Sequence, residues 1–338
     1  MKVAYVASAN YQGLDSDSAV ERRRLAGLVD CWAAMGIETI PWAPSVSCDL
    51  VYIVNLPLAA KQAKEIIKKH HWKYPIVVGM IEDLGTGQWA GLADESIDDL
   101  EKLSQAWLDR QSSIKGYLRY ARDYLAQLGL LDSQNSQLRS MLSNADGVVC
   151  TSELQAAGLR YLNPNCVSVT DPMPESDYSV RDNNPGQQLS RIKAKEGSII
   201  LTWEGTAWGL QLLELIRGPL ETLHAHGKRP IRLVVVAARI RSPLFNETDN
   251  EKILQKRYAL PTSFYDWSKD TIGGLLRASD VGLAPMPIRN PFYRAKAYSK
   301  PLTYMALGLP VVASNIPSYS HLIQNGTNGF LAETSEDW

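Results

Sequence analysis

The sequence has few cysteines, no long apolar run and no excess of charge of either sign. Its four cysteines share no Cys-x-x-Cys spacing, which disfavours a metal site or a disulfide framework and predicts buried free thiols: Cys31, Cys48, Cys150 and Cys166. A formal net charge of -1 gives no support for a nucleic-acid partner. No apolar stretch approaches the ~20 residues that a membrane-spanning helix needs. We therefore expect a cytoplasmic protein.

Short apolar runs alternate with amphipathic stretches along the whole chain. In the first half this pattern predicts strands at 3–7, 37–41, 49–54, 76–79 and 147–150, with helices between them. In the second half it predicts strands at 198–203, 231–237, 262–267, 280–285 and 310–314. Strands and helices in this rhythm are typical of parallel, doubly wound sheets that are covered on both faces.

The composition changes between the two halves. Residues 176–196 are rich in Ser, Asp, Asn, Gln and charge and have little apolar content, so we predict a linker there. With 338 residues the chain is long enough for two domains, predicted at 1–175 and 197–338. Two such Rossmann-like domains can face an interdomain cleft, which suits an enzyme that holds two substrates.

The loops that follow the first strand of each half are candidate ligand sites. They contain Gly13 in the first half, and Gly205 and Thr206 in the second. Neither loop has the G-x-G-x-x-G or G-x-x-x-x-G-K-[S/T] pattern, which disfavours a dinucleotide-dependent dehydrogenase or a P-loop ATPase. A single glycine after a strand is more often a structural turn than a ligand site.

Basic residues gather before a predicted helix at 299–306. Arg294, Lys296 and Lys300 stand where a helix N-terminus disfavours positive charge unless an anion is bound there. Ser299 is expected to cap the helix and Pro301 suits its first turn. The alternative from spacing alone is a solvated basic loop beside an ordinary strand-helix unit.

Four segments of the sequence resemble motifs of glycosyltransferase family 4 and similar GT-B enzymes. Residues 304–314 (YMALGLPVVAS) and 322–331 (LIQNGTNGFL) match most closely, with weaker matches at 278–285 (ASDVGLAP) and 144–152 (NADGVVCTS). The resemblance implies a GT-B fold. It also implies transfer of a sugar, with retention, from a UDP- or GDP-linked donor held by the second domain. The acceptor would be a glycan or a lipid-linked molecule on the first domain, as in polysaccharide biosynthesis.

Three departures from the family pattern change what the resemblance implies. Ala295 and Thr303 replace the two motif glutamates, the second of which holds the nucleotide ribose in the family, so Thr303 is expected to bond a ribose hydroxyl. The family's basic residues after the first strand of the second domain are missing, so Lys296 and Lys300 are expected to stabilise the diphosphate without a metal ion or other cofactor. Relatives also continue beyond the position of Trp338, which predicts a shortened second domain.

Other candidate residues lie in the first half. Asp83, with Glu82, follows a predicted strand and is a candidate acceptor contact, although surface carboxylates are an equal alternative. Asp15 and Asp17 form a D-x-D pattern that we attribute to chance, and a run of arginines at 22–24 is more readily a solvated helix face. Lysines at 61–73 and basic residues at 115–122 favour a solvated face over peripheral membrane contact.

Two other functions remain open on the sequence alone. The missing glutamates suit a catalytically weak GT-B-like protein that binds a nucleotide or a glycan. Another GT-B enzyme, such as a nucleotide-sugar epimerase, is the third hypothesis.

Overall fold

The chain forms two compact units, each built on one parallel sheet. The computed structural model describes residues 1–7, 25, 27–54, 60–70, 73–79, 139–170, 178–179, 185–205, 207–237, 250–289 and 291–338. Of these, unit 1 contains the residues up to 170 together with Arg289–Ala297. Unit 2 contains the described residues from 178 to 288 and Tyr298–Trp338.

Unit 1 is built on a sheet of six parallel strands in the order β2-β1-β3-β4-β5-β6. The strands are β1 (Lys2–Val6), β2 (Glu38–Pro41), β3 (Leu50–Ile53), β4 (Ile76–Gly79), β5 (Gly147–Cys150) and β6 (Cys166–Ser168). The helices with defined bounds before residue 170 are α1 (Gly27–Ala34), α2 (Ala60–His70) and α3 (Glu153–Leu159). The apolar runs of β3 and β4 are buried because helices and loops cover both faces of a parallel sheet.

Helix α2 shows how the sequence pattern places a helix on this sheet. Ala63, Ile66 and Ile67 recur at helical spacing and are buried against the core, whereas Lys64 and Lys68 are exposed. Helix α3 begins at a side-chain cap, because the backbone N–H of Gln155 donates to the Ser152 hydroxyl over 3.2 Å. No described helix is both long enough and apolar enough to cross a membrane.

Unit 2 also has six parallel strands, in the order β12-β11-β10-β7-β8-β9. The strands are β7 (Ile199–Gly205), β8 (Ile231–Ala237), β9 (Thr262–Asp266), β10 (Val281–Ala284), β11 (Val311–Ser314) and β12 (Gly329–Ala332). From β7 the chain winds outward through β8 and β9, then returns to β10 on the other side of β7. The winding direction reverses between β7 and β10, which is the topological switch point where doubly wound sheets bind ligands.

The second half of the chain contains one 3₁₀ helix and seven α-helices among its described residues. The 3₁₀ helix is Ala207–Ile216, and the α-helices are α4 (Pro185–Glu196), α5 (Arg217–His226), α6 (Asn250–Arg257), α7 (Lys269–Ala278), α8 (Pro291–Arg294), α9 (Ser299–Ala306) and α10 (Pro317–Leu322). Helix α5 follows the 3₁₀ helix directly in the sequence. Helix α8 lies in the segment that groups with unit 1.

The predicted linker is not a linker over residues 185–196, which form α4. One side of this helix buries Leu189 within unit 2, and Lys193 Nζ lies 2.5 Å from the Asp280 carboxylate, just before β10. Within 185–196, most of the polar residues that suggested a linker lie on the exposed side of an amphipathic helix. A second difference concerns Arg289–Ala297, which we placed in the second domain and which groups with unit 1.

The four cysteines are all free thiols, and two of them are buried as predicted. Cys150 and Cys166 lie on the adjacent strands β5 and β6, whereas Cys31 is exposed on α1. Burial raises the pKa of both the Cys150 and the Cys166 thiol, so these groups stay protonated and unreactive at neutral pH.

Candidate functional site

The candidate site lies at the carboxyl edge of the unit 2 sheet, where β7 and β10 separate. Only two residue pairs join these strands in the sheet: Val281 pairs with Leu201, and Gly282 pairs with Thr202. Beyond that point the backbone N–H of Glu204 donates to the Tyr304 hydroxyl oxygen over 3.0 Å. The Tyr304 hydroxyl in turn donates to the Leu283 carbonyl over 3.4 Å. One phenol of α9 therefore bridges the two strands at the switch point.

Tyr304 is fully buried, and its place depends on a glycine. A Cβ atom at Gly282 would overlap the Tyr304 ring, so only glycine lets the ring lie against β10. Burial raises the pKa of the Tyr304 hydroxyl well above its usual value, and the nearby Glu204 charge raises it further. The phenol is thus neutral and can both donate and accept a hydrogen bond.

Lys300, in the first turn of α9, reaches the end of β7. Its Nζ atom would lie 3.1 Å from a Cβ atom at Gly205 and is 5.4 Å from the ring centroid of Trp203. The Trp203 side chain is completely buried, so the indole forms a fixed surface beneath the ammonium group. The structure therefore places a positive charge at the carboxyl edge of the strand beside the switch point.

The N-terminus of α9 has no side-chain cap, which corrects the prediction for Ser299. The helix begins at Ser299, one residue earlier than a cap at Ser299 would require, so the cap residue is Tyr298, whose side chain makes no capping hydrogen bond. The first N–H groups of α9 therefore lack a side-chain partner from the cap. Together with Lys300, they make this end of the helix suitable for an anion.

Thr303 is completely buried within α9. Its hydroxyl donates to the carbonyl oxygen of Ser299 one turn earlier, over 2.8 Å. With its proton used in this way, the hydroxyl can meet a ligand only as an acceptor. The expected bond to a ribose hydroxyl remains a prediction.

The other two basic candidates group with unit 1. The Nε atom of Arg294 is buried and has no hydrogen-bond partner in the described part of the chain. The Nζ atom of Lys296 lies 5.3 Å from the ring centroid of Tyr293. Ala295 lies between these two residues in the sequence. Its carbonyl oxygen accepts a hydrogen bond of 2.6 Å from the Ser152 hydroxyl, the same group that caps α3. Two residues of the recognised motifs, Ser152 and Ala295, are therefore in contact in unit 1.

Several predicted residues lie outside the described part of the chain. These are Gly13, Asp83 with Glu82, Thr206, Asp15, Asp17 and the arginines at 22–24. Within the described ranges, no three His, Cys, Asp or Glu side chains are close enough together to hold a metal ion.

Sequence reasoning missed three residues at this edge. Trp203, Glu204 and Tyr304 surround the end of β7, and only Tyr304 belongs to a recognised motif. A signal for Glu204 was available: an acidic residue directly after the apolar run 199–203 is unusual in a strand that is buried on both faces.

Comparison with known proteins agrees with this architecture. Residues 202–338 match the sequence profile of the family described as "Glycosyl transferases group 1", which confirms the resemblance for most of unit 2. The structure of HepE from Anabaena in complex with UDP and glucose superimposes with a TM-score of 0.54 at 14% identity, covering 100% of this chain and 87% of HepE. The chain has the GT-B fold.

Two further GT-B structures are similar to the same extent. HepE in complex with UDP-glucose gives a TM-score of 0.54 at 13% identity, covering 98% of this chain and 85% of HepE. WaaG, a glycosyltransferase involved in lipopolysaccharide biosynthesis, gives 0.52 at 14% identity, covering 99% of this chain and 88% of WaaG. At such low identity these likenesses establish the fold alone. No curated protein sequence shows a significant match to this one.

Proposed function

We propose that this protein transfers a sugar from a nucleoside diphosphate-sugar to an acceptor, with retention at the anomeric carbon and without a metal ion. The observation that carries the proposal is the position of Lys300, whose ammonium group stands against Gly205 at the switch point of a GT-B donor-type domain. Opposite charges attract at this short range, so the ammonium group is suited to contact the diphosphate of the donor.

The chemical demand of the reaction suits this arrangement. In the proposed step, the bond between the anomeric carbon and the β-phosphate oxygen breaks, and its electron pair stays on the departing diphosphate. The acceptor hydroxyl oxygen bonds to the anomeric carbon on the same face and gives its proton to the departing phosphate. Lys300 and the N–H groups that open α9 stabilise the negative charge as it develops. No metal is needed for that purpose.

The remaining candidates have proposed places around this centre. Gly205 and Thr206 would let the backbone approach the diphosphate, and Ser299 and Thr303 would contact the donor as hydrogen-bond acceptors. Lys296 is a second proposed cation for the diphosphate and Arg294 a further donor contact, both from their sequence positions alone. Gly13 and Asp83 remain proposed acceptor contacts.

The structural neighbours suggest which substrates to try first. HepE was solved with UDP and glucose, so a UDP-hexose is the first donor to test. WaaG acts in lipopolysaccharide biosynthesis, so a glycan or lipid-linked acceptor is the first acceptor class. For a lipid-linked acceptor, the exposed lysines of α2 are the proposed membrane contact: Lys64, Lys68 and Lys69.

A catalytically weak binding protein is the second candidate function. Ala295 has no polar side chain and the Thr303 hydroxyl already uses its proton, so neither motif position offers a carboxylate. A third candidate, a nucleotide-sugar epimerase, would release free nucleotide with an epimerised sugar.

Turnover of UDP-hexoses tests the proposal. Purified protein is incubated with each donor, with and without a glycan acceptor, and nucleotide release is followed while the product anomer is assigned by NMR. We expect release that survives EDTA and a product of retained configuration. Lys300→Ala should lower turnover by about 100-fold, as loss of one charge-stabilising group does elsewhere.

Lys228→Ala is the matched control for this experiment. Lys228 is exposed just before β8, at the amino edge of the same sheet, so its loss should leave turnover unchanged. Equal rates for Lys300→Ala and the wild type would contradict the role of Lys300. An inverted product would refute retention, and loss of activity in EDTA would refute metal independence.

A further inference from the structure

Glu204 is an acidic residue buried at the ligand-binding edge of unit 2. It ends the apolar run of β7 and is only 5% exposed. Because side chains alternate along a strand, Glu204 lies on the opposite face of the sheet from Trp203 and Gly205. It shares its face with Thr202, and hence with Gly282 and the Tyr304 ring that lies against it.

The described residues around Glu204 do not neutralise its carboxylate. In the part of the chain that the structure describes, no ion pair or side-chain hydrogen bond reaches its side chain, and the Tyr304 hydroxyl beside it donates to Leu283 instead. A carboxylate in so buried a position is costly for the fold unless hydrogen-bond donors reach it. A ligand bound at this edge can supply such donors.

The chemistry of a carboxylate limits what that ligand is. An ionised carboxylate only accepts hydrogen bonds, so it repels a phosphate and needs a donor such as a hydroxyl group. A vicinal diol offers two such donors to the two carboxylate oxygens. In dinucleotide-binding Rossmann domains, which are also doubly wound, an acidic residue binds a ribose hydroxyl in this manner.

The neighbouring residues leave this task to Glu204. Lys300 lies beside Gly205, the residue that follows Glu204, and its positive charge is suited to the phosphates. The Thr303 hydroxyl carries no charge, and its proton is already donated to the carbonyl oxygen of Ser299. We propose that the Glu204 carboxylate binds a vicinal diol of the nucleotide-sugar, from its ribose or from its sugar. This inference rests on the proposed function, because it assumes that a nucleotide-sugar binds at this edge.

The test compares nucleotides that differ by one hydroxyl. Binding of UDP, 2′-deoxy-UDP, 3′-deoxy-UDP and UDP-glucose is measured by calorimetry for the wild type and for Glu204→Gln, which keeps the size of the side chain and removes its charge. Glu336→Gln is the matched control, since Glu336 is exposed near the end of the chain. We expect the wild type to bind the deoxy nucleotides about tenfold more weakly than UDP, and Glu204→Gln to lose that preference.

The same measurements separate the two sources of the diol. A ribose contact predicts that the preference for UDP over its deoxy analogues disappears in Glu204→Gln. A contact with the transferred sugar predicts that only the added affinity for UDP-glucose over UDP disappears. Either result supports the proposal, and Glu336→Gln should match the wild type in both.

A purely structural role for Glu204 gives a different pattern. It predicts a lower melting temperature for Glu204→Gln with unchanged ratios between the nucleotides, and that result would overturn the inference while the proposed function stands. Should Glu204→Gln not fold, Glu204→Asp takes its place in the same comparison. A wild-type protein that binds none of the nucleotides would overturn both proposals.

Discussion

At the scale of single residues, two glycines set how closely side chains approach the sheet of unit 2. Gly282 makes room for the Tyr304 ring, and Gly205 makes room for the Trp203 ring and the Lys300 ammonium. A Cβ atom at Gly205 would lie 2.6 Å from the Trp203 ring and 3.1 Å from Lys300 Nζ, closer than atoms can approach without a shift. Glycine at 205 is therefore a steric requirement of the candidate site.

The first prediction concerns Gly205→Ala. The added methyl group should lower the free energy of unfolding by about 1–3 kcal/mol, as overpacking does. It should also weaken nucleotide binding, because Lys300 must move away from the end of β7. Thermal unfolding and calorimetry with UDP check both effects.

Gly218→Ala is the control for that substitution. Gly218 is exposed on α5, and a Cβ atom there meets no other atom within 4 Å. Alanine should stabilise this helix by about 0.5–1 kcal/mol and leave UDP binding unchanged. If Gly205→Ala behaved like Gly218→Ala, the close packing at the end of β7 would not matter for the fold or the site.

At the scale of elements, the segment 185–196 between the two halves is a packed helix, α4, and not a linker. The segment looked like a linker because its composition is polar, but a helix needs only one apolar face to pack. Here that face includes the fully buried Leu189, and Lys193 adds an ion pair with Asp280. Helix α4 therefore belongs to the core of unit 2.

Leu189→Ala tests the contribution of this helix. Loss of a fully buried leucine side chain should lower the free energy of unfolding by about 2–5 kcal/mol, measured by chemical denaturation. Gln188→Ala, one residue away and exposed, should change it by no more than about 0.5 kcal/mol. Equal effects of the two substitutions would mean that residues 185–196 contribute nothing to the packing of unit 2.

At the scale of the whole molecule, the fold was predictable because its signal is repeated many times. Several of the parallel strands are short runs rich in Val, Ile and Leu, and the strands predicted at 76–79, 147–150 and 231–237 have the predicted bounds. Two doubly wound sheets follow from the alternation of strands and helices, and the family profile on unit 2 agrees with them.

What the sequence did not reveal depends on contacts between distant residues. The division of the chain was wrong at Arg289–Ala297 because a segment joins a unit through contacts such as the hydrogen bond from Ser152 to Ala295, 143 positions apart. The role of Tyr304 at Glu204 depends likewise on a bond across 100 positions. Patterns of neighbouring residues in the sequence predict neither of these two long-range contacts.

The central claim is that unit 2 binds a nucleoside diphosphate through Lys300. The most direct measurement is the thermal stabilisation of the wild type, Lys300→Ala and Lys228→Ala by UDP, GDP, ADP and their sugars. We predict that one nucleotide stabilises the wild type and Lys228→Ala by about 2.7 kcal/mol at 100 times its Kd, and that Lys300→Ala loses this effect. Absence of stabilisation by every nucleotide, or equal stabilisation of Lys300→Ala, would contradict the claim.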